Sequence, residues 1–80
     1  MLSDIERKVL RIIYNYSIIR RRPPSIDVIS VKTGRDRDGV IAVLDVLARE
    51  EYIEWDRSNP DHMVVIEGWE RRDDIRWGGN

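Results

Sequence analysis

Gly34, within the stretch KTGRDRDGVIAVL at residues 32–44, restricts the possible folds of this chain more than any other position. A short apolar pattern closes just before it. A second begins at once and runs through Val40, Leu44 and Leu47. Glycine supplies the left-handed backbone on which helices commonly end. So little chain remains between the two patterns that only a tight turn fits, and two helices joined this way must pack across one another as a helix-turn-helix.

The flanking sequence supplies the other elements. SDIERKVLRIIYNYSIIRR opens with Ser3 and Glu6 at capping-box spacing. Ile5, Val9, Ile12, Ile13, Tyr16 and Ile19 fall on one stripe at helical spacing, which predicts an inward face. Arg20, Arg21 and Arg22 complement the macrodipole at the helix end, and Pro23-Pro24 forbid continuation. Ser25 then caps a second helix that turns Ile26, Ile29 and Val28 inward, and Asp36 caps a third running to about Glu51. The third helix buries Val40, Val43, Leu44 and Leu47, with Gly39 a weak point of roughly 1 kcal/mol relative to alanine.

Beyond it, YIEWD and MVVIEGW read as two short strands. RSNPDH between them holds an Asn-Pro-Asp turn with proline at its first corner. Ile53 and Trp55 alternate with Glu54 and Asp56, so one hairpin face packs and the other meets water. The expected fold is mainly α with a small β-hairpin: a winged helix-turn-helix of three helices plus a two-stranded wing. Residues 1–67 form that domain, and residues 68–80 form a charged tail carrying Trp69, Ile75 and Trp77.

Eighty residues provide one small core and no room beside it for a buried active site. With one histidine, no cysteine and no Gly-Xaa-Ser-Xaa-Gly, no nucleophile–base pair can be assembled, so the expectation is a protein that is not an enzyme and needs no cofactor or metal. A calcium loop is approximated at residues 34–45, but its first ligand position is Gly34 and its last is Asp45 rather than a bidentate glutamate. The opening MLSDIERK lacks the apolar run of a secretory signal. No window approaches the roughly 20 apolar residues of a membrane span, so the expected location is the cytoplasm.

RPPSIDVISVKTG followed by VIAVLDVLAREEYIEW resembles the DNA-binding domain of the LexA repressor family and, more broadly, bacterial winged-helix regulators. The shared features are Pro-Pro-Ser before the second helix, the Gly34 turn, the Val40 and Leu44 pair, and Tyr52-Ile53 opening the wing. The likeness covers about residues 3–67 and does not extend to the family's self-cleaving protease domain. It implies sequence-specific binding of double-stranded DNA by a small transcriptional regulator, with the third helix in the major groove. Arg37, Asp38 and Ile41 would then meet base edges. Arg35 would reach phosphate or guanine, Ser25 and Lys32 would anchor phosphates, and Arg57 and His62 of the wing would touch the flanking backbone.

Two departures stand beside that likeness. Arg35 occupies a position where such proteins usually bury a leucine, and the third helix carries Asp36, Asp38 and Asp45, of which Asp45 would face phosphate and repel it. Charge is also uneven, with six Lys or Arg against two acids in residues 1–22 and four Arg against eight acids in residues 51–80. Any nucleic-acid affinity must therefore come from a local patch. The alternative is a protein-interaction module in which the acidic third helix and the tail hold a protein partner. Trp69, Ile75 and Trp77 either pack back on the first helix, seam a homodimer through the tail, or precede a linker at Gly78-Gly79; the dimer is the favoured expectation.

Overall fold

The computed structural model describes residues 2–68. In chain order they form α1 (Asp4–Arg20), α2 (Ile26–Thr33), α3 (Arg37–Arg49), β1 (Ile53–Trp55) and β2 (Met63–Val65). The architecture is mainly helical, three helices followed by a two-stranded antiparallel hairpin, in the arrangement of a winged helix.

Short-range chemistry sets where each helix begins. Ser3 Oγ accepts from the Glu6 amide at 3.3 Å while the Ser3 amide donates to Glu6 Oε1 at 2.8 Å, so the expected capping box is complete. Ser25 Oγ accepts from the Val28 amide at 3.2 Å, and Asp36 Oδ1 from the Gly39 amide at 2.8 Å. All three N-caps fall at the positions read from the sequence.

The helix ends differ more. α1 stops with Arg21 left-handed at φ 59°, two residues before Pro23. α3 ends at Arg49, short of the expected Glu51. The Glu51 amide donates to the Ala48 carbonyl at 3.0 Å and the Tyr52 amide to that of Leu47 at 2.9 Å. These are the two bonds of a Schellman motif, closed by the buried pair Tyr52 and Leu47. The left-handed position of that motif, which favours glycine, is held here by Glu51 at φ 66°. Glu51→Gly is therefore expected to stabilise the domain by about 0.5–1 kcal/mol, less whatever the freer unfolded chain takes back. A shift of the urea midpoint to higher concentration at unchanged slope reads this out; a shift to lower concentration would mean that the Glu51 side chain contributes more than its strain costs.

The core draws Leu2, Val9, Leu10 and Ile13 from the first segment, Ile26 and Ile29 from α2, Val40, Val43, Leu44 and Leu47 from α3, and Tyr52, Ile53 and Met63 from the hairpin. This corrects the stripe expected on α1. Ile5, Ile12 and Tyr16 are only half-buried and Ile19 is 74% exposed, while Leu10 is fully enclosed. The reason is tertiary: α1 packs against α3 and β2 as well as α2, so its buried side is centred nearer Leu10 and Ile13 than the stripe implied. Val28 of α2 is likewise half-buried.

The hairpin pairs Ile53 with Val65, Glu54 with Val64 and Trp55 with Met63. Ile53 and Met63 turn inward and Glu54 and Val64 outward, the alternation a half-covered sheet requires. Its loop is two successive turns, closed by the Asn59 amide on the Asp56 carbonyl at 3.1 Å and the His62 amide on the Asn59 carbonyl at 3.0 Å. Pro60 holds the first corner of the second turn, as expected. The Trp55 indole N–H donates to the Pro60 carbonyl at 2.8 Å and ties the loop to the strand. Among the described residues no helix is long and apolar enough to cross a membrane. Trp69, Ile75 and Trp77 lie outside the described residues, so the structure does not bear on their expected packing or dimer seam.

Candidate nucleic-acid interface

The turn between α2 and α3 fixes how α3 is presented. Gly34 is left-handed at φ 73°, and its amide donates to the Ser30 carbonyl at 2.8 Å. Two hydroxyls then pin the following residue. Ser30 Oγ donates to the Arg35 carbonyl, and Thr33 Oγ1 accepts from the Arg35 amide at 3.3 Å while donating to the Ile29 carbonyl at 2.8 Å. Arg35 itself is exposed, and the turn is anchored by these hydroxyl-to-backbone bonds rather than by a buried side chain at the position expected to hold leucine. Neither Ser30 nor Thr33 was singled out from the sequence. Hydroxyl residues in the last turn of a helix, just before a glycine, are the signal that marks them.

Gly39 also finds its reason here. A Cβ at that position would lie 3.1 Å from Asp36 Oδ1, the oxygen that caps α3 through the Gly39 amide. The glycine thus leaves the capping carboxylate its place. The residues of the calcium-loop spacing form this turn, the cap and a regular helix, which accounts for them without a metal.

With Val40, Val43, Leu44 and Leu47 inward, the opposite side of α3 carries Asp38, Ala42, Asp45 and Arg49 at intervals of three and four. Arg37, Asp38, Ala42 and Arg49 are exposed, whereas Ile41 is half-buried and packs against the core at the edge of this face. Ser25 has its hydroxyl committed to the α2 cap, and Lys32 is exposed near the other end of α2. Arg57 and His62 are both exposed on the wing loop.

Asp45 departs most from expectation. Its carboxylate accepts from Arg49 Nη2 at 2.6 Å, four residues along the helix, and Arg57 Nη2 stands 3.6 Å from the same oxygen. Rather than a bare charge repelling phosphate, it is the hub of a three-membered ion pair. The hydrogen bond from Arg49 is the main cause holding its carboxyl below the usual range; partial desolvation opposes this, and the Arg49 and Arg57 charges reinforce it. Arg49, absent from the residues picked out by sequence, lies beside Asp45 on the outward stripe, and its i,i+4 spacing from Asp45 is the available signal.

Arg57 comes from the wing loop, so this pair also sets the loop beside α3. The outward side of α3 and the wing therefore form one surface, carrying Asp38, Asp45 and Arg49 from the helix and Arg57 from the loop, while Arg37 is exposed in the first turn of α3. His62 is exposed on the wing loop and Arg35 in the turn before α3. Ser25 and Lys32 belong to α2. No protein-family model matches the sequence, and a comparison with curated proteins finds no relative.

Proposed function

We propose that this domain binds double-stranded DNA as a small, non-enzymatic transcriptional regulator in the cytoplasm, in the manner of the LexA-type winged helices it resembles. The supporting observation is the joint surface of α3 and the wing. Arg57 reaches Asp45 across the gap between them, so helix and loop would approach one duplex together. In this reading α3 enters the major groove with Arg37 and Asp38 near its N-terminal end, where base contacts are made in such motifs. Arg37 meets guanine or phosphate, and Asp38 accepts from a cytosine amino group. Arg35, at the turn, neutralises backbone phosphate. Lys32 does the same from α2, while Ser25 keeps the α2 amides aimed at a phosphate. Arg57 and His62 follow the flanking strand. Ile41, at the edge of the face, offers an apolar contact to a thymine methyl.

Binding of a labelled duplex pool across a salt series tests this reading. Affinity is expected to fall steeply as salt rises, and Arg37→Ala to weaken binding about five-fold and flatten the logarithmic salt slope by about one, the loss of a single phosphate-type contact. No binding to any duplex at low salt and micromolar protein overturns the reading. The outward side of α3 would then pass to a protein partner, with Ile41 and Ala42 flanked by Asp38 and Asp45.

A further inference from the structure

Among the described residues, nothing covers the outward side of α2. Its inward residues are Ile26 and Ile29; its outward diamond is Asp27, Val28, Val31 and Lys32, linked at i,i+4 and i,i+3 spacing. Val31 is 84% exposed, an unusual outlay for a valine on an eight-residue helix. Beside it a groove between α1 and α2 is lined by Ile12, Tyr16, Ile19 and Val28 together with Asn15, Arg20 and Lys32. Ile19 is 74% exposed. A protruding valine and an apolar groove therefore lie side by side on one face.

The order of charges along α2 selects the occupant. Asp27 and Lys32 lie at equal distances from the helix midpoint, between Ile29 and Ser30, and so do Val28 and Val31. Laid antiparallel against an identical helix about a two-fold axis through that point, Asp27 meets the partner's Lys32 and Val28 meets the partner's Val31, each twice. A surface that complements its own rotated image is what an isologous contact requires.

We infer that this α1–α2 face is a self-association surface, through which two copies of the chain join by antiparallel α2 helices with each Val31 seated in the other's groove. The inference does not rest on the DNA reading, although Lys32, which contacts phosphate in that reading, pairs here with the partner's Asp27.

Sedimentation equilibrium of the full chain from roughly 5 to 500 μM spans the range expected for an interface of small area. The wild type is expected to reach the mass of a dimer within it. Val31→Glu should raise the dissociation constant tenfold or more by placing a charge in the seam. The site is exposed and glutamate is the better helix former, so circular dichroism should be unchanged. Asp27→Lys alone should weaken association several-fold, and Asp27→Lys with Lys32→Asp should restore it; this pair reads the contact even if Val31→Glu disturbs the helix. A monomer throughout, or a dimer indifferent to Val31→Glu, overturns the inference. Loss on Trp77→Ala with Val31→Glu silent moves association to the chain beyond Gly68 and overturns it too. Failure of the charge exchange to rescue overturns the antiparallel register.

Discussion

Leu44→Ala is expected to lower the stability of the domain by about 2–5 kcal/mol and its melting temperature by about 10–25 °C. Leu44 is fully enclosed on the inward side of α3, the helix that packs against α1, α2 and β1. Removing its isobutyl group costs the transfer free energy of the lost carbons and leaves a cavity that three separate elements would have to move to fill. A chain of 80 residues has only about 4–12 kcal/mol of total stability to lose. Ile19→Ala supplies the control. At 74% exposure Ile19 should change stability by no more than about 0.5 kcal/mol, although the sequence pattern groups it on one stripe with Val9. Denaturant unfolding of the two variants side by side checks the packing. Equal losses at a protein concentration too low for self-association would mean that Ile19 is packed within the single chain and that the core differs from the one described.

Asp45→Asn is expected to tighten non-specific duplex binding about tenfold at ~50 mM salt and to steepen the salt slope by one to two. The substitution removes a negative charge from the outward side of α3 and also releases Arg49 and Arg57 from the carboxylate that holds them. Both guanidinium groups are mostly exposed, at 70% and 62%, and so are free to turn towards phosphates once released. Asp38→Asn removes an equal charge but releases neither of them, so its gain should be smaller. The contrast between the two variants separates freed arginines from simple charge removal.

Acidification acts on the same ion pair. Because its carboxyl is held below the usual range, chiefly by the hydrogen bond from Arg49, Asp45 stays ionised in the folded protein at pH values where it would begin to protonate in the unfolded chain. The pair's contribution to stability is therefore fully present above the ordinary carboxylate pKa of about 3.9 and is lost as pH falls through the lowered value. Wild type and Asp45→Asn should show parallel stability from pH 7 to about 5 and converge only below about pH 4. If Asp45→Asn leaves duplex affinity unchanged and Arg49→Ala and Arg57→Ala are equally silent, the α3 and wing surface does not face DNA.

What was legible in the sequence shares one property: it is decided within a few residues. The capping box of Ser3 and Glu6, the caps at Ser25 and Asp36, the left-handed Gly34 and the Asn59-Pro60 corner all rest on bonds between residues three or four apart, so a short window contains both partners. The alternation in β1 was legible for the same reason, since pleating alone places Ile53 and Glu54 on opposite sides. The end of α3 was misjudged by two residues because its Schellman bonds close on Glu51, where the sequence has no glycine to mark them.

The tertiary structure decided what lies against what. Apolar residues occupy so much of the circumference of α1 that helical periodicity could not choose between the side holding Leu10 and the side holding Ile19; the placement of α3 and β2 made that choice. The state of Asp45 was equally out of reach, because one of its two partners, Arg57, stands twelve residues away on the wing and meets it only after the hairpin folds back beside α3. Val31 looked like any other apolar helix residue until the packing of Ile26 and Ile29 turned it to solvent. Local hydrogen-bonding geometry is written in neighbouring residues, whereas burial and ion pairing depend on which distant element arrives, and only the folded chain determines that.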